Sequence, residues 1–169
     1  MAVTSRTSRR AGRAGFGLKG NSRFYNETVS DQGVAKQFRD DYATSYFTGV
    51  VKNESMKWIG SVLGKGKPVF CSIHVPAPHR PATPAPQYAD DFADEKAPRT
   101  PNWNGPGTQD KHVSSTMMKA KMDADTFEYS DHVWRRRLRS LKSVDDLVAE
   151  VFALLKSTAQ LERTVFVYR

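Results

Sequence analysis

Eight of the nine prolines, Pro76, Pro78, Pro81, Pro84, Pro86, Pro98, Pro101 and Pro106, fall in one short region, and Pro68 is the ninth. Each proline fixes φ and removes a backbone donor, so neither a continuous helix nor a central strand passes through such a stretch. The spacing predicts a linker over residues 76–112 in extended polyproline II form. A single compact globular domain is therefore not expected, although 169 residues is long enough to bury a sizeable core.

The expected fold class is mainly α with extended irregular segments, comprising short helices, a C-terminal helix pair and at most a small β ribbon. In order, the chain reads as a basic arm (1–23), two short helices (24–67), an extended strand (68–75) and the linker (76–112). A weak helix (113–129) and a C-terminal helix pair with a terminal strand (130–169) follow.

Residues 130–169 carry the strongest periodicity. Asp131 to about Lys142 places Trp134, Leu138 and Leu141 on one stripe, with Arg135, Arg136, Arg137 and Arg139 around the rest. This predicts a basic amphipathic helix whose guanidinium groups either face an anionic partner or form a solvated surface. Ser143 and Asp146 then have the spacing of a near capping box and predict a second helix start. Behind them Leu147, Val151 and Leu155 recur at intervals of four, an apolar stripe suited to docking.

The N-terminal arm holds Arg6, Arg9, Arg10, Arg13, Lys19 and Arg23 with no acid, a composition expected to be disordered alone and to seek acidic surfaces. Gly15-Phe16-Gly17-Leu18-Lys19-Gly20 is formally a G-x-G-x-x-G, but no apolar strand leads into it, so it reads as a flexible elbow. From Ser30 or Asp31, the residues Val34, Phe38, Tyr42 and Tyr46 predict a helix to about Phe47, with its aromatic stripe a core or docking surface. A second helix is expected to start at Asn53 and stop at Gly64.

Val69 to Val75 and Thr164 to Tyr168 are the two strand-like runs, predicted to pair with each other or to join another sheet edge. Cys71 and His74 have Cys-x-x-His spacing without a second half-site, which favours core residues over zinc ligands. One cysteine excludes an internal disulfide framework and makes a reducing compartment the default. No run approaches the roughly 20 apolar residues that span a bilayer, and Met1 is not followed by the apolar core of a secretory leader.

Within the linker, Asp90 to Glu95 forms an acidic patch able to pair with the arginine helix, and Trp103 joins Tyr88 and Phe92 as a possible anchor on a partner. The four histidines, His74, His79, His112 and His132, are scattered, with no nucleophile or paired-carboxylate arrangement around them. The chemistry therefore reads as nonenzymatic binding without a cofactor. The partner-binding residues expected are Arg9, Arg10, Arg13, Phe38, Tyr42, Tyr46, Trp103, Trp134, the four arginines of the helix, and Leu147, Val151 and Leu155.

The basic arm, short helices, proline-rich middle and the run Asp41-Tyr42-Ala43-Thr44-Ser45-Tyr46-Phe47 together resemble the small microtubule inner proteins of ciliary doublets. That resemblance implies a structural chain in the axoneme that threads between tubulin and neighbouring inner proteins. Two other classes remain open: a basic subunit of a mitochondrial ribosome or other ribonucleoprotein, whose arginines meet phosphate, and an accessory subunit of a mitochondrial respiratory or ATP synthase complex.

Overall fold

A hairpin turn at Gln32-Gly33 sets the geometry of the N-terminal half. Both residues have positive φ, 50° and 93°, as a two-residue turn between right-twisted strands requires. The computed structural model describes residues 14–105 and 121–169. Around the turn, β1 (Phe16–Leu18), β2 (Thr28–Asp31) and β3 (Val34–Gln37) form an antiparallel sheet in the order β1-β2-β3. Asp31 pairs with Val34 across the turn and with Phe16 on the other side, and central Val29 pairs with Leu18 and Lys36. The helix expected from Ser30 or Asp31 is thus a hairpin, because the turn residues outweigh the four-residue aromatic spacing. The flexible elbow expected at residues 15–20 is likewise a strand, β1.

Asp41 starts the single turn α1 (Tyr42–Ser45) by accepting from the Thr44 amide at 3.0 Å. Tyr46 then bends the chain into α2 (Phe47–Val62), which begins six residues before Asn53 and holds that residue in its interior. The expected stop holds: Leu63 caps the helix and Gly64 follows with φ 75°.

The predicted C-terminal pair is one helix, α3 (Ala124–Ser157), 34 residues long. Asp123 caps it by accepting from the Thr126 amide at 2.8 Å, and no glycine or proline lies between there and Ser157 to break it. Ser143 is a buried interior residue, since the spacing of a capping box also fits mid-helix polar residues. The weak helix expected over 113–129 is in its last residues the start of α3, and 113–120 lie outside the described residues.

Sheet, α2 and α3 share one core: Val29 meets Phe47, Val50, Val51 and Ile59 of α2 and Leu147, Val151 and Leu155 of α3. Burying each large aliphatic side chain contributes roughly 1.5–3 kcal/mol. Across the rim of that interface, Lys52 and Glu150 pair at 2.6 Å. A satellite cluster of Phe24, Tyr46 and Ala85 ties the sheet side to the proline-rich segment.

Residues 76–105 do not run out as polyproline II. They fold back in consecutive tight turns, with the His79 amide on the Pro76 carbonyl and the Ala82 amide on the His79 carbonyl, both at 2.7 Å, then a 3-10 turn at Pro86–Tyr88. Proline suits such turns as well as it suits extended chain. Among the described residues this segment packs back on the sheet and α3, and the helices with a small antiparallel sheet are as expected.

The two strand-like runs do not pair. Val69 to Val75 is extended, with Ile73 and Val75 packed on the core and Phe70 89% exposed. After a 3-10 turn at Leu161–Arg163, residues 164–169 run along α3, where Phe166 stacks on Phe152 with centroids 4.1 Å apart, while Val165 and Val167 face outward.

Candidate functional site

Beside the extended segment opens a broad groove of about 1040 Å³. Its floor and walls come from β1, from the α2 residues Val51, Glu54, Ser55 and Trp58, and from the run Cys71 to Pro76 with His79. The α2 residues are spaced by three, one and three, which places them on one face of the helix. The extended run alternates sides, sending Ile73 and Val75 into the core and leaving Ser72 and His74 exposed.

Chemistry-bearing groups gather here. Ser72 Oγ lies 2.9 Å from His74 Nε2. His79 Nδ1 lies 2.6 Å from the Arg80 carbonyl oxygen, and because a carbonyl only accepts, Nδ1 carries the proton. His79 Nε2 is then the ring nitrogen left for a bound group. Cys71 is at the surface rather than in the core, as is His74. Desolvation by its surroundings pushes the Cys71 thiol up, so it is not an activated nucleophile. Among the described residues no three His, Cys, Asp or Glu side chains gather as metal ligands.

Most of the described residues expected to bind partners are engaged within the chain. Arg135 donates to the Glu95 carbonyl at 3.1 Å, Arg136 Nε to the Pro81 carbonyl at 3.0 Å, and Arg139 to the Asp91 carbonyl. The acidic patch does meet the arginine helix, but through its backbone oxygens and not its carboxylates. Arg137 is exposed and Trp134 half-buried. Trp103 packs edge-on against Phe127, with the Arg99 guanidinium 4.1 Å from its ring centroid. Phe38 lies edge-on to Phe16, Tyr42 donates to Gln87 at 2.7 Å, and buried Tyr46 donates to the Thr83 carbonyl at 3.0 Å. Leu147, Val151 and Leu155 are in the core against α2. Arg9, Arg10 and Arg13 lie outside the described residues.

Groove and fold acquire a context from known proteins. The sulfatase family profile matches residues 7–169, and the chain belongs to the sulfatase family. It is 35% identical over 153 residues to N-acetylglucosamine-6-sulfatase of Bos taurus and 36% to that of Homo sapiens, covering 90% of this chain and 27% of each relative. It is 37% identical over 150 residues to a putative extracellular sulfatase Sulf-1 homolog of Caenorhabditis elegans, covering 88% of this chain and 21% of that protein. The chain thus spans about a quarter of the length of these relatives.

This family membership overturns the resemblance to microtubule inner proteins and the nonenzymatic reading with it. The ciliary axoneme and the mitochondrial alternatives fall for the same reason. Arginine-rich runs and prolines suggested a threaded structural chain because their intramolecular partners, backbone carbonyls, leave no trace in a residue pattern. One signal for the groove was present: a β-branched run ending at Pro76-Ala77-Pro78-His79 puts a histidine just beyond the carboxyl end of an extended segment.

Proposed function

We propose that this chain is part of a sulfatase that hydrolyses the sulfate ester of a sulfated amino sugar, with 6-O-sulfated N-acetylglucosamine as the substrate class, outside the cell or in its secretory compartments. The observation that carries this reading is the identity of 35–36% over 90% of the chain to N-acetylglucosamine-6-sulfatases. In such a reaction water adds, the sulfur–oxygen ester bond breaks, and the sugar alcohol and inorganic sulfate leave. His79 is the residue we assign to the reacting group. Its Nδ1 proton is fixed by the Arg80 carbonyl, so Nε2, when protonated, donates to a sulfate or leaving oxygen in the groove.

The unpaired extended runs support the same reading. Val69 to Val75 and Thr164 to Tyr168 are joined through α3, the connection by which neighbouring parallel strands are linked, and both leave apolar side chains exposed. We read them as strands of a larger sheet supplied by the remainder of a full-length sulfatase.

The test is desulfation of 6-O-sulfated N-acetylglucosamine by the full-length protein, with His79→Gln compared at equal folding. A kcat loss of roughly 10²–10⁴ is expected for the removal of a general acid–base group. Full activity in His79→Gln removes that residue from the mechanism, and absence of any sulfate-ester hydrolysis by the folded protein overturns the assignment.

A further inference from the structure

The groove is longer than one reacting group needs. At about 1040 Å³ it stands at the top of the range of roughly 300–1,000 Å³ that takes a drug-sized ligand. Its direction is set by a chain reversal: α2 runs out to Val62, residues 63–68 turn back, and the extended run returns toward the start of the helix. Ala77, just past that run, packs on the cluster of Phe24 and Tyr46, and Tyr46 immediately precedes α2. His79 therefore belongs to the part of the groove near Phe47. Trp58 lies about three turns, or roughly 16 Å, further along the helix.

Trp58 is half-buried, packed on the core with one part and lining the groove with another. Ser61 donates to its carbonyl at 2.7 Å, but among the described residues no ring or cation stacks on its indole and nothing accepts its N–H. Trp103 shows the contrast, with the Arg99 guanidinium over its face and Phe127 at its edge. One turn before Trp58 on the same face stand Glu54 and Ser55. Glu54 meets Lys36 only at 3.9 Å, which leaves its oxygens able to accept from a ligand.

The geometry points to Trp58 as the platform for a second sugar ring, beside the one whose sulfate ester faces His79, with Glu54 accepting from the hydroxyls of that second ring. This inference rests on the sulfatase reading above. A pyranose presents a face of C–H groups, apolar and slightly positive, that suits the negative face of an aromatic ring, and it carries its hydroxyls around the rim. The charge of the groove narrows the choice further. Among the described residues that line it, Asp31 and Glu54 are acidic and none is lysine or arginine. A carboxylate on the second ring would be repelled there, so the ring is a neutral hexose and not a uronic acid.

The test uses the full-length protein and three substrates: 6-O-sulfated N-acetylglucosamine alone, linked to a neutral hexose, and linked to a uronic acid. Trp58→Leu keeps apolar bulk against the core and removes the flat face. It is expected to raise KM for the neutral disaccharide roughly two- to tenfold, as loss of an aromatic contact would, with kcat close to wild type and the monosaccharide unaffected. Trp58→Phe is expected to recover most of the loss, and Glu54→Gln to narrow the preference for the neutral disaccharide over the acidic one. In the unsubstituted protein, tryptophan emission is expected to change with the neutral disaccharide and not with the monosaccharide, a reading that needs no variant to fold. A KM that rises equally for all three substrates, a KM that does not rise, or the same emission response to both sugars overturns the assignment of Trp58. If the folded protein cleaves no sulfate ester, the sulfatase reading falls by itself, and equilibrium titration with the neutral disaccharide decides the platform: weaker binding by Trp58→Leu supports it, and unchanged binding overturns it.

Discussion

Asp131 grips Arg99 with both carboxylate oxygens, at 2.7 and 2.8 Å, and one of them also accepts the Ala97 amide at 2.9 Å. Arg99 in turn donates to the Ala97 carbonyl at 2.7 Å and stacks on Trp103. One carboxylate on α3 therefore fixes the end of the proline-rich segment. Burial alone would raise the Asp131 pKa, but the hydrogen bonds from Arg99 and Ala97 and the nearby Arg99 and Arg135 charges outweigh it and hold the carboxyl below its ordinary value.

A depressed folded-state pKa gives stability that is present above the unfolded value and is lost as pH falls through the folded one. Asp131→Asn is thus expected to melt below the wild type at neutral pH, with the gap closing as pH drops below about 4, the ordinary aspartate range. Thermal melts of both proteins from pH 7 to pH 2.5 check this, and a gap that stays constant with pH would count against the ion pair as its source.

Leu155 is 4% exposed in the contact between α2 and α3. Leu155→Ala is expected to cost about 2–5 kcal/mol, the range for removing a buried leucine side chain. Urea unfolding of the full-length protein reads it out. Arg137→Ala, at an exposed position on the same helix, is expected to stay within about 0.5 kcal/mol of wild type.

Arg136 and Arg139 hold the carbonyls of Pro81 and Asp91. Replacing both with lysine keeps the charge but loses the planar fork of donors. Amide hydrogen exchange is expected to rise over residues 79–97 and to remain unchanged in the middle of α3. Equal loosening of both would mean that the arginines act on the helix itself.

Tyr88 donates to both oxygens of Asp146, at 2.8 and 2.7 Å, which pushes its pKa up to about 12; desolvation and the Asp146 charge add to the effect. Difference spectra between wild type and Tyr88→Phe are expected to place one phenol ionisation near that pH. Asp146→Asn is expected to bring it down toward 10, the ordinary tyrosine value. An unshifted titration in Asp146→Asn would assign the rise to something other than this hydrogen bond.

Some of this was readable beforehand. Gly64 ended a helix as glycine does, and Leu147, Val151 and Leu155 formed an apolar stripe because i, i+4 spacing is visible in sequence. The hairpin at Gln32-Gly33 was hidden because Val34, Phe38, Tyr42 and Tyr46 mimic a helical period across what is a strand, a loop and a single helical turn. Ser143 misled for a related reason: its pattern is local, whereas its burial is decided by α2 from far along the chain. His79 was seen only as one scattered histidine, since neighbours in the groove such as Trp58 and Glu54 are brought beside it by folding.

Arg135, Arg136 and Arg139 of α3 grip main-chain oxygens, and every residue has one whatever its side chain. Pro81, Asp91 and Glu95 are therefore held by features that substitution does not remove. At these three positions a side chain can change while the arginine still finds its oxygen, whereas Ala85, Tyr88 and Arg99 hold the same segment through their side chains. A surface on this segment can in this way acquire new preferences over evolutionary time without first having to find a new fold.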